Sequence, residues 1–144
     1  MDLPPDLEAL VRDARVARFA TADEQGRPHV VPVCFVCRDD VAYIALDEKP
    51  KRVPVTRLRR VRNLLANPEV QLLIDRYAED WARLAYVQLR GRAGLLDPGP
   101  EHVEALVLLR AKYTQYLAMS LEDAPMIRIE VYDLVAWQAA EEPL

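Results

Sequence analysis

Seven cations, Lys49, Lys51, Arg52, Arg57, Arg59, Arg60 and Arg62, fall within fourteen residues that hold no acidic side chain. The chain as a whole has a formal charge of −4, so this stretch carries +7 and leaves −11 to the rest. It follows the apolar segment Val41 to Leu46 and leads into a helical pattern. That is a place where an anionic group would be held, because N–H groups at a helix start and Lys or Arg side chains both favour phosphate. The same charges also fit a solvated basic helix face that binds nothing. Pro50 and Pro54 make the beginning of the run a constrained loop.

Other chemistry is sparse. Cys34 and Cys37 have the C-x-x-C spacing of redox and zinc sites, but they sit in a strand-like run where an offset of three points side chains to opposite faces. With no second cysteine pair, and only His29 and His102 as imidazole ligands, they read as two ordinary thiols. Asp75, Glu79 and Asp80 are close in sequence, as an acid–base group or as solvated loop residues. The four glycines, at 26, 91, 94 and 99, form no phosphate-binding loop, dinucleotide fingerprint or nucleophile elbow. An anion site without catalytic side chains points to a bound cofactor that carries the chemistry.

The elements that must position these residues follow from periodicity. Pro4 and Pro5 open a short amphipathic helix through Leu7, Leu10 and Val11. Strands are expected over Val16 to Ala22, His29 to Cys37, Val41 to Asp47, Val70 to Tyr77, Leu84 to Leu96 and Met126 to Ala139, with a turn at Asp23 to Gly26 and bends or bulges at Gly91 and Gly94. Pro32 removes a ladder donor, so its strand should be an edge, a bulge, or a place where something other than a strand lies alongside. A second helix is expected from Thr56, as N-cap, to Ala66, burying Leu58, Val61 and Leu65. The third spans Glu101 to Ser120, with Val103, Leu106, Val107, Tyr113 and Leu117 on its packing side. Six strands joined mostly by hairpin-length turns, with three helices, describe a mostly β, α+β protein: one closed or nearly closed antiparallel barrel over residues 1–144. No membrane-length apolar run and no secretory signal pattern occurs, which reads as cytoplasmic.

Ala17 to Asp23, Gly26 to Val33, Lys49-Pro50-Lys51-Arg52, and Leu58 to Asn67 with Pro68 together resemble the pyridoxamine 5′-phosphate oxidase-like flavin-binding split-barrel family. Asp75, Tyr77, Asp80-Trp81, Arg83-Leu84, Gly91-Arg92-Ala93, Ala111-Lys112-Tyr113 and Gln115-Tyr116 resemble its branch that uses the deazaflavin coenzyme F-420. The resemblance implies a six-stranded split barrel that dimerises, with a cofactor at the subunit interface and its phosphate held after the third strand. It implies phosphate contacts from Lys49, Lys51 and Arg52 with help from Arg57 and Arg60, and ring contacts from Val31, Pro32, Val33 and Tyr43. Gln88 is either the family's ring-approaching glutamine or an ordinary strand residue. Trp81 covers the cofactor or packs locally, Trp137 reaches a partner's pocket or packs locally, and Arg83 assists an anionic tail or pairs with Asp80 or Glu79.

The expected function is a homodimeric oxidoreductase in which coenzyme F-420, in preference to FMN, exchanges a hydride with a small organic substrate. The alternative is a non-catalytic flavin carrier or sensor. Nucleic-acid binding through the arginine-rich helix is disfavoured by the acidic remainder of the chain and a pI near 5.2.

Overall fold

The Asp23 side chain accepts hydrogen bonds from the backbone N–H groups of Gln25 and Arg27, both at 2.9 Å, while Gly26 supplies the left-handed φ of 77°. This turn joins β1 (Ala17–Ala22) to β2 (Pro28–Val33), with Ala17 opposite Val33 and Ala22 opposite Pro28. The structure is a computed structural model that describes residues 1–47 and 54–139. Its remaining strands are β3 (Val36–Arg38), β4 (Val41–Ala45), β5 (Glu69–Arg76), β6 (Ala85–Leu96) and β7 (Met126–Gln138). All pairings are antiparallel, in the order β2-β1-β5-β6-β7-β4-β3.

Among the described residues seven strands replace the expected six, because the run from His29 to Cys37 breaks at Cys34 and Phe35. The backbone of Phe35 leaves the ladder for side-chain partners. Its N–H donates to the Tyr113 hydroxyl at 3.0 Å, and its carbonyl accepts from Lys112 Nζ at 3.0 Å. The resulting strands, β2 and β3, are two residues apart in the chain yet occupy opposite ends of the sheet order. Only a sheet that curls back on itself allows both, so the architecture is a split barrel with its seam between β2 and β3. As its proline requires, β2 is an edge strand.

The long β6–β7 ribbon carries a bulge between Arg90 and Gly91. A Cβ on Gly91 would lie 2.6 Å from Ile129 Cγ2 and 2.7 Å from the Glu130 carbonyl oxygen, so the close approach of the two strands excludes any side chain there. Inward residues of the sheet, among them Phe19, Leu72, Ile74, Val87, Leu89, Ile127 and Ile129, fill the barrel together with Leu7 and Val11 of helix α1 (Pro5–Asp13). On β4 the faces alternate as a pleat requires. Ala42 and Ile44 point into the barrel, whereas Tyr43 and Ala45 point to a second core under α3 (Pro100–Lys112) with Ala105, Leu106 and Leu109.

Two helices differ from expectation. Thr56 is not an N-cap: a single 3-10 turn spans Val55–Arg57, and α2 runs Arg59–Ala66 from Leu58 with no side-chain cap. Its buried residues are Val61, Asn63 and Leu64, and Leu65 is 57% exposed. Asn63 is held inward by donating to Thr21 Oγ1 at 3.0 Å, which rotates Leu65 out. Helix α3 ends at Lys112, and a 3-10 turn, Thr114–Ala118, follows. Val103, Val107 and Leu117 are exposed, because Ala105, Leu106 and Leu109 take the face against the sheet. The helix has apolar residues on every side, so periodicity alone does not choose among them.

Candidate functional site

Strand β3 is three residues long, and its pairing with β4 stops at Val36 opposite Tyr43. Ile44 and Ala45 therefore run past the end of β3, and among the described residues no strand lies beside the outer edge of β2. The seam left between them is a groove of about 460 Å³. Val31, Pro32, Val33 and Cys34 form one wall and Ile44 and Ala45 the other, while Asp47, Arg60 and Tyr116 supply polar groups. A strip of apolar strand residues beside a guanidinium can hold the flat and the anionic parts of one ligand.

Arg60 lies in the first turn of α2, whose N-cap residue Leu58 makes no side-chain cap bond, and the positive end of the helix dipole there favours an anion. Across the groove, the buried Tyr116 hydroxyl donates to Asp47 Oδ2 at 2.5 Å. Burial first, and the bond to Asp47 second, push the Tyr116 phenol above its ordinary range, so it remains a proton donor. Cys34 opens into the groove as a free thiol, and Cys37, also free, is pushed up to about 12 by burial. Among the described residues no group of three or more His, Cys, Asp or Glu side chains could hold a metal ion.

Of the residues singled out in the sequence, Val31, Pro32, Val33 and Arg60 meet in this groove. Lys49, Lys51 and Arg52 lie outside the described residues. Arg57 sits exposed in the 3-10 turn before α2 and does not line the groove. Tyr43 is turned away from it: its ring is buried against α3, and its hydroxyl donates to Glu101 Oε2 at 2.6 Å. Arg128 Nε donates to the same oxygen at 2.7 Å. These two bonds, Tyr43 first, hold the Glu101 carboxyl below its ordinary range.

Gln88 is half-buried on the outer face of the sheet. Pairing places Pro32, Arg18, Leu73, Gln88 and Val135 in one row, which puts Gln88 three strands, or about 14 Å, from Pro32. Trp81 is 68% exposed, on a 3-10 turn (Trp81–Arg83) capped by Asp80, whose Oδ1 accepts from the Ala82 N–H at 3.1 Å. Trp137 stacks on Tyr86 with centroids 5.9 Å apart. The acidic trio does not converge, since Asp75 pairs with Arg18 at 3.1 Å while Asp80 serves as the cap.

Sequence reasoning missed the Asp47–Tyr116 pair and the place of Cys34 in the groove. The first joins residues 69 positions apart, and no local signal links them. The second depended on the strand break at Cys34 and Phe35, which an unbroken apolar run conceals.

The chain matches the family model described as pyridoxamine 5′-phosphate oxidase over residues 3–138. No curated protein matches it. Among solved structures, a FAD-binding protein from Mesorhizobium loti shares 22% identity at a TM-score of 0.69, covering 94% of this chain and 93% of that one. An F420 reductase shares 20% at 0.66, covering 92% and 98%. HutZ, the heme storage protein from Vibrio cholerae, shares 17% at 0.71, covering 96% and 98%. At these identities the likeness is one of fold.

Proposed function

Since the chain belongs to the pyridoxamine 5′-phosphate oxidase family, we propose that it is an oxidoreductase that holds coenzyme F-420, or FMN, in the seam groove and exchanges a hydride with a small organic substrate. The observation that carries this reading is the meeting of the apolar strip Val31, Pro32 and Val33 with Arg60 in one groove. A flavin or deazaflavin bound there would supply the hydride acceptor or donor.

The chain's own residues bind, orient and exclude water. Val31 and Pro32 offer apolar surface to a flat ring, and β4 bounds it at Ile44 and Ala45, whose side chains are buried in the two cores. Pro32 has no backbone N–H to donate on this edge strand, so its carbonyl is the one backbone polar group it presents. Arg60 and the start of α2 receive an anionic group, with Lys49, Lys51 and Arg52 as the further cations of the same stretch. The Asp47 carboxylate, fixed by Tyr116, accepts from an N–H or O–H of the bound molecule.

A second copy of the chain completes the site in this reading. The outer sheet face presents the stacked Tyr86 and Trp137 beside Val135, an apolar patch suited to self-association. No helix among the described residues is long and apolar enough to cross a membrane, and both cysteines are free, in keeping with a reducing cytoplasm. The competing reading is a flavin carrier or sensor that binds without turnover.

Fluorescence titration of cofactor-free protein with coenzyme F-420 and, separately, FMN tests the proposal. Saturable binding of one of them, weakened by Arg60→Ala and by the Lys51→Ala/Arg52→Ala pair, is the expected result. Binding of neither overturns the oxidoreductase reading, and binding without substrate-dependent reoxidation selects the carrier.

A further inference from the structure

The chain meets its need for positive charge almost entirely with arginine, sixteen against three lysines, Lys49, Lys51 and Lys112. Lys112, the last residue of α3, opens into a cleft of about 930 Å³ between α1, β3 and α3 that shares no residue with the seam groove. Its Nζ sits 3.9 Å from the Phe35 ring centroid and 5.4 Å from that of Tyr113, and donates to the Phe35 carbonyl at 3.0 Å. Among the described residues no carboxylate lies within ion-pairing distance of it.

The groups around this amine do little to hold its proton. Asp13 from α1 favours the charged form, but Asp13 is already tied to Arg12 at 2.9 Å. Arg15, from the link between α1 and β1, stacked 4.6 Å over Tyr113, opposes it. Cys37 from β3 lines the same cleft and is, after burial, the largest influence on the amine, favouring its charged form, while its own thiol is pushed up to about 12 by burial. Cys34, from the β2–β3 linker, has a minor influence. Burial dominates and pushes the Lys112 ammonium down to about 8. An arginine could stack on Phe35 equally well, but only a lysine can lose its proton and present a lone pair.

We propose that this cleft captures aldehydes covalently, with Lys112 Nζ as the nucleophile. The neutral amine adds its lone pair to the carbonyl carbon as the C=O π pair moves to oxygen. A proton passes from nitrogen to that oxygen to give a carbinolamine, and loss of water leaves an imine. No electrons are exchanged, and water is the only by-product. The buried Phe35 ring fixes Nζ from below, and Arg15, which lines the cleft, favours a carbonyl compound with an anionic substituent. The site is independent of the cofactor reading.

The test is reaction of the whole chain with 4-carboxybenzaldehyde and cyanoborohydride, which reduces imines to stable amines, over the neutral to mildly alkaline range. Peptide mass mapping then compares Lys112 with Lys49, Lys51 and the Met1 amino group, which pairs with Asp40 at 3.0 Å. Lys112 should label roughly tenfold faster than either other lysine at neutral pH, since its larger neutral fraction outweighs its lower basicity. Its rate should reach half its maximum near pH 8. K112R, which keeps the cation over Phe35, should fold and lose this fast label. Equal labelling of the three lysines, slower labelling of Lys112, or an undiminished fast label in K112R overturns the proposal.

Discussion

The two hydrophobic cores of this molecule are built differently. The barrel interior is apolar, with Phe19, Leu72, Ile74, Val87, Leu89 and Ile127 packed together and fully buried. The core beneath α3 contains three buried tyrosines, Tyr43, Tyr113 and Tyr116, each with its ring packed and its hydroxyl tied to a group elsewhere in the chain. The first is held by volume, the second by volume together with a few directional bonds. Both the seam groove and the Lys112 cleft border the second, which is where polar groups are already held in place.

Substitutions should separate the two kinds of core. Leu89→Ala, which leaves a cavity in the apolar barrel, should cost about 2–5 kcal/mol in denaturant unfolding. Tyr116→Phe removes almost no volume but leaves Asp47 without its hydroxyl donor, and should cost about 1–3 kcal/mol. If Tyr116→Phe proves as costly as Leu89→Ala, the second core depends on its bonds more than its packing.

Titration sharpens the same contrast, with smaller effects. Lys112 has a folded value of about 8 against an ordinary value of 10.5, so the folded state binds fewer protons between these limits. Its contribution to stability therefore rises as pH rises through that window, and unfolding of wild type compared with Lys112→Met should show wild type gaining. Glu101 behaves in the opposite manner. Its depressed carboxyl contributes stability that is present above the ordinary carboxylate range and lost as pH falls through the folded value, so the gap between wild type and Glu101→Gln should close in acid. The smallest effect belongs to the exposed outer face. Arg18→Ala, which breaks the ion pair with Asp75, should change stability by about 0.2–1 kcal/mol, and less in high salt.

What could be read from the sequence follows this division. Strand alternation is a local signal, so most of the barrel strands were legible; an edge was one of three readings open for Pro32, and a bend or bulge was expected at both Gly91 and Gly94, of which the bulge lies at Gly91. The face of α3 was not, because Val103 and Val107 are as apolar as Leu106 and Leu109, and contacts with β4 decide between them. Nor was the turning away of Tyr43, which depends on Glu101 and Arg128 placed 58 and 85 positions later. In the groove, Val31 to Val33 and Arg60 were named through the family resemblance, with the basic run and the anomalous Pro32 as local signals beside it. Asp47 with Tyr116 could not, since their pairing exists only once α3 has docked.

The Cys34–Phe35 linker also sets a limit on geometry. From Val33, the last residue of β2, to Val36, the first of β3, the chain takes three Cα steps, which span at most about 11 Å. The two edges of the barrel are thus held by a tether of fixed reach, like the jaws of a caliper. The far wall of the groove is β4, one strand beyond β3, so the tether bounds the spacing of the two edge strands only where the linker crosses. Covalent connectivity, before any side chain is considered, fixes which end of the seam stays closed.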